Sequence, residues 1–63
     1  MATRNLEYEH GYAEGYTYGL YGGCYKDPKR EIRLRGLQIR SQFGVGFLAG
    51  YNDERKGIKQ KYF

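Results

Sequence analysis

The chain has no tryptophan, one proline, one cysteine, one histidine and one methionine in 63 residues. A lone cysteine, Cys24, excludes an internal disulfide and any zinc site built from several thiolates. It fits a reducing compartment, and whether it has a role of its own stays open. The single histidine, His10, stands between Glu9 and Gly11 with no second ligand type in a metal-binding spacing. No nucleophile has a plausible base, and none of the seven carboxylates pair in a context that forms a cleft. The chain is therefore read as a non-enzyme with no metal and no cofactor. No run approaches the roughly 20 apolar residues of a membrane span, and the N-terminus lacks the apolar segment of a signal peptide. A cytoplasmic protein with no membrane partner is expected.

Large aliphatic groups are scarce as well. Nine residues from Leu6 to Ile58 supply them all. A chain this short buries only about 60% of its unfolded surface. Residues 1–63 are thus one small domain, which gains from binding something larger or from forming a homodimer. Glycine (10) and tyrosine (8) are abundant instead, so tyrosine must do much of the packing, with its hydroxyls in water or hydrogen-bonded.

The longest apolar stretch runs from Phe43 to Tyr51. As a helix it places Phe43, Phe47, Gly50 and Tyr51 on one face, with Gly46 and Gly50 one turn apart beside it. Each interior glycine costs about 0.5–1 kcal/mol relative to alanine, which is offset where a second helix needs the groove. Gly11-Tyr12-Ala13-Glu14-Gly15-Tyr16 has the same form 35 residues upstream. Gly11, Gly15 and Gly19 make one row, and Tyr8, Tyr12, Tyr16 and Leu20 the next. The expected fold is all-α, a two-helix antiparallel hairpin with a basic C-terminal tail. Gly11, Tyr12, Gly15, Tyr16, Phe43, Gly46, Phe47 and Gly50 are its predicted contact residues.

Thr3 or Asn5 can cap a first helix over about residues 4–21, and Gly22-Gly23 stops it. Residues 22–27 are a linker. Asp27 and Pro28 suit the N-cap and first position of a second helix over about residues 28–51. The alternation in Glu31-Ile32-Arg33-Leu34-Arg35 also fits a β-hairpin turning near Gly36. A missing turn dipeptide and the helix-favouring arginines, leucines and glutamine favour the helix. There Ile32, Gly36, Ile39, Phe43 and Gly46 would form one stripe. Residues 52–63 read as a tail able to order on a partner.

The net charge of +4 is unevenly placed. Lys26, Lys29, Arg30, Arg33, Arg35 and Arg40 face only Asp27 and Glu31, and the tail holds Arg55, Lys56, Lys59 and Lys61 against Glu54. Two basic blocks flanking an apolar segment suggest a polyanion-binding surface rather than a merely solvated one. Candidate RNA contacts are Lys29, Arg30, Arg33, Arg35, Arg40, Gln42, Lys56, Lys59 and Lys61. Arg33 and Arg40, seven apart, would share a helix face, with Lys29 and Arg30 extending it and Arg35 pointing away.

Arg40-Ser41-Gln42-Phe43-Gly44-Val45-Gly46-Phe47 resembles the second-helix signature of the ribosome modulation factor family of bacterial ribosome-hibernation proteins. Gly11-Tyr12-Ala13-Glu14-Gly15 resembles the Gly-Tyr-x-x-Gly of its first helix. The two motifs cover about a third of the chain. Phenylalanines 43 and 47 stand where the family has tryptophan, the spacing between motifs is longer, and the basic N-terminal segment is missing. Cys24-Tyr25 before Asp27-Pro28 matches the family's Cys-Pro-Tyr linker only in part. A divergent member, encoded by a bacteriophage or a mobile element, would fit the departures. The resemblance implies a two-helix protein that binds the small ribosomal subunit near the 3′ end of 16S rRNA, blocks mRNA engagement and promotes ribosome dimers. A different reading starts from the tyrosine excess: a phage-type inhibitor that blocks a host protein through a tyrosine-rich surface. A small DNA-binding protein is a third reading, opposed by the lack of helix-turn-helix spacing.

Overall fold

The computed structural model describes residues 4–22 and 26–63. Thr3 as a cap, the second glycine of the Gly22-Gly23 stop and the linker residues Cys24 and Tyr25 lie outside the described residues.

Each helix begins where a short polar side chain takes up an otherwise unpaired backbone N–H. Asn5 accepts from Tyr8 N at 3.1 Å and opens α1 (Leu6–Tyr21). Asp27 accepts from Arg30 N at 3.2 Å and opens α2 (Pro28–Leu34), with Pro28 in its first turn. Ser41 accepts from Gly44 N at 3.0 Å and opens α3 (Gln42–Arg55). The described residues are all-helical, with three helices and no strand.

The expected helix over residues 28–51 is therefore two helices. Gly36 takes φ +76°, the left-handed conformation that only glycine adopts without strain. Its N–H donates to Arg33 O at 2.9 Å and that of Leu37 to Ile32 O at 3.2 Å, which together make a Schellman terminus. Gly36 is a stop signal and not a weak interior position, so the Ile32–Gly46 stripe does not form, and neither does the alternative strand pair. Gly57, also at φ +76°, ends α3 the same way. Residues 52–55, expected in the tail, belong to α3.

The glycine rows do meet, but α1 and α3 run parallel rather than antiparallel. A Cβ on Gly15 would lie 2.7 Å from the carbonyl carbon of Phe47 and closer still to its oxygen. Gly11 faces the Phe43 backbone in the same way, Gly46 that of Tyr8, and Gly50 that of Tyr12. Both members of each pair advance by four residues together, which only parallel helices can do. A shift of 35 positions exchanges the contacts: Gly11 on Phe43 becomes Gly46 on Tyr8, and Gly15 on Phe47 becomes Gly50 on Tyr12. The seam is thus a pseudo-two-fold contact of the small-xxx-small kind, with carbonyls laid over glycine faces.

A parallel pair needs a return path, and α2 is that path. It starts beside the far end of α1, where Tyr18 Oη accepts from Asp27 N at 2.9 Å. It runs back until Arg35 reaches Glu14 at 2.9 Å. The chain then enters α3 where Asn5 Nδ2 donates to Gln42 Oε1 at 2.8 Å.

α2 and the tail cover opposite sides of the seam. On one side Ile32 and Phe47 are both fully buried, with Tyr18 5.6 Å from the Phe47 ring. On the other, residues 58–63 fold back along α1. Tyr16 Oη donates to Ile58 O at 2.7 Å, and Lys61 N donates to Tyr12 Oη at 3.3 Å. The Tyr62 ring stands edge-on to Tyr12 at 5.2 Å and to Tyr8 at 6.1 Å. The tail, expected to wait for a partner, already has one in the tyrosine row of its own chain.

Candidate nucleic-acid interface

On a helix of 3.6 residues per turn, Lys29 and Arg33 lie one turn apart, with Arg30 beside them and nearly opposite Ile32. Ile32 is drawn inward, so these three cations stand outward and exposed. No carboxylate pairs with any of them among the described residues. Leu34, 71% exposed, borders the cluster. Arg40 is exposed and likewise makes no ion pair, but it sits in the turn before α3. The common helix face expected for Arg33 and Arg40 is lost at the Gly36 break.

Arg35 does different work. Its guanidinium bonds Glu31 at 3.0 Å and Glu14 at 2.9 Å, and lies 5.2 Å from the centre of the Phe47 ring. Burial pulls its pKa down, but the hydrogen bonds it donates to Glu31 and Glu14, with their charges, outweigh this and leave it raised. It ties α2 to α1 and covers the core, so it leaves the set of candidate RNA contacts. Gln42 also leaves it as a free contact, since its carbonyl oxygen joins the starts of α1 and α3.

Of the tail candidates, Lys56 and Lys59 are exposed and make no ion pair among the described residues. Lys61 lies 3.7 Å from Asp53. Tyr12 Oη donates to the same carboxylate. Burial, then that hydrogen bond, push the Tyr12 pKa from 10.0 up to about 12. The two basic blocks therefore lie on opposite sides of the seam, and the α2 block is the denser.

Beside the α2 block, a cleft of about 340 Å³ opens between α2 and the end of α1, lined by Tyr18, Gly22, Asp27, Arg30, Glu31 and Leu34. Sequence reasoning missed it because Asp27 showed only as a cap and Glu31 only as a charge. Their meeting with Tyr18 depends on α2 turning back on α1. Among the described residues no three His, Cys, Asp or Glu are grouped to hold a metal ion, and no helix is long and apolar enough to cross a membrane. Comparison with models of protein families, with curated proteins and with solved structures finds no match.

Proposed function

We propose that this chain is a cytoplasmic, ribosome-associated RNA-binding protein that regulates translation from the small subunit, as its resemblance to the ribosome modulation factor family suggests. The observation that carries the reading is the outward face of α2, where Lys29, Arg30 and Arg33 stand together with no carboxylate partner among the described residues. Arginines so placed can bind phosphates bidentately and stack on unpaired bases. Lys56 and Lys59 add a weaker contact from the other side.

The inhibitor reading draws less support. Tyr12 is buried and Tyr8, Tyr16, Tyr18 and Tyr51 are half-buried. Among the described tyrosines only Tyr21 and Tyr62 are exposed, so packing accounts for most of the tyrosine excess.

The test is sedimentation of the protein with ribosomal subunits over a salt series. Association with the small subunit should fall steeply as salt rises. The pair Lys29→Gln, Arg33→Gln should keep its helix content and reduce the salt slope by about one per lost phosphate contact. A folded double variant that sediments as wild type does, with the same slope, would remove this face from the interface.

A further inference from the structure

Resting on that RNA-binding reading, we propose that the cleft between α2 and the end of α1 is a pocket for one unpaired guanine base. Its volume of about 340 Å³ falls at the lower end of the roughly 300–1,000 Å³ typical of small-ligand sites. The Tyr18 ring and Leu34 give it apolar walls, and Asp27 and Glu31 put two carboxylates in the lining. Each carboxylate keeps one oxygen that no described residue engages. Asp27 Oδ1 accepts from Arg30 N and Glu31 Oε2 from Arg35 Nε, which leaves Asp27 Oδ2 and Glu31 Oε1.

Two considerations fix the occupant. The carboxylates repel a phosphate from the cleft itself, so what enters must donate hydrogen bonds. Arg30 in the lining, with Lys29 and Arg33 on the next face of α2, repels a cationic ligand and attracts a polyanion. A neutral, donor-bearing group attached to a polyanion satisfies both, and a nucleobase on its strand is such a group. The Watson–Crick edges then separate the bases. Adenine and cytosine place one amino donor beside a ring acceptor, which would face a carboxylate unfavourably. Uracil has one N–H flanked by two carbonyls. Guanine alone presents two adjacent donors, N1–H and N2–H, for the two open carboxylate oxygens. Its own phosphates would then lie outside, at Arg30 on the rim, and the flanking strand would run round α2 towards Lys29 and Arg33.

The experiment is equilibrium binding, by fluorescence anisotropy, of labelled single-stranded RNAs about seven nucleotides long, within the usual site size of ~4–16. All are oligouridine with G, A, C or U at the centre. Wild type should bind the G probe roughly tenfold tighter than the other three, the discrimination of one well-made two-donor contact. Asp27→Asn keeps a capping side chain and Glu31→Gln leaves Arg35 its Glu14 partner. Each should lose the G preference while retaining or raising affinity for the U probe, with helix content checked by circular dichroism. Lys29→Gln with Arg33→Gln should weaken all four probes alike. Equal binding of all probes by wild type overturns the guanine pocket but leaves the RNA-binding reading standing. A G preference that survives in both carboxylate variants also overturns it. Binding of none of the probes overturns both.

Discussion

Replacing Gly15 by alanine adds one methyl group to a helix, which in isolation stabilises it by about 1 kcal/mol. In this protein the new Cβ would stand 2.7 Å from the Phe47 carbonyl carbon and 2.8 Å from its Cα. Those are backbone atoms of α3 and cannot rotate aside, so the helices must part along the seam. Overpacking of this kind costs about 1–3 kcal/mol, and a rigid obstacle puts Gly15 at the upper end. The net expectation is a loss of about 2 kcal/mol, or a Tm lower by about 8–16 °C for a domain this small. Gly19 supplies the control. The nearest atoms to its Cβ belong to the Glu54 side chain, the carboxylate oxygen at 2.7 Å and the Cβ at 3.0 Å; rotation of Glu54 relieves the first contact, and the second needs a few tenths of an ångström of give. Gly19→Ala should therefore melt well above Gly15→Ala. Both are measured by thermal circular dichroism. If Gly15→Ala melts with Gly19→Ala, or above wild type, the backbone contact at Gly15 is not made.

Other outcomes follow from the tyrosine side of the seam. With Tyr12 raised from 10.0 to about 12 in the folded chain, its contribution is complete below pH 10 and is lost as pH rises towards 12. Stability should fall by about 2–3 kcal/mol across that window, and urea melts of Tyr12→Phe should show a shallower fall. Removing residues 58–63 uncovers Tyr8 and Tyr12, so the truncated chain should have a lower Tm and expose more tyrosine to solvent by fluorescence quenching. An unchanged Tm would mean that the tail packing contributes nothing.

The glycine rows were legible because their spacing of four survives in any helix, and all eight predicted contact residues do lie at or beside the seam. Direction was not legible. A groove floored by Gly11 and Gly15 accepts a partner of either polarity, and what selects the parallel one is α2. That helix was hidden inside a longer one because Gly36 reads the same whether it weakens a helix or ends it. Ser41 was overlooked as a cap for a related reason. Its third following residue is Gly44 and not a glutamate or glutamine, so the reciprocal capping signal is missing. The tail's fold left no periodic trace, since it rests on tyrosine hydroxyls meeting backbone groups. Of the candidate interface, Lys29, Arg30 and Arg33 were legible from helical spacing alone. The role of Arg35 was not, because Glu14 and Phe47 are distant in sequence.

The parallel seam also dictates an order of events. The Asn5–Gln42 bond spans 37 positions, that of Glu7 with Phe43 N spans 36, and Tyr12–Asp53 spans 41. In a hairpin, the first turns to pair are close in sequence and the rest close like a zip. Here every register of the seam requires about the same long loop, so no short-range pairing can seed it. Until residues 42–55 are present, α1 has only its caps and its own turns, and a 16-residue helix rich in glycine is marginal in water without a partner. Folding should therefore be a single late event rather than a progressive one, and an isolated peptide of residues 4–22 should be largely unstructured.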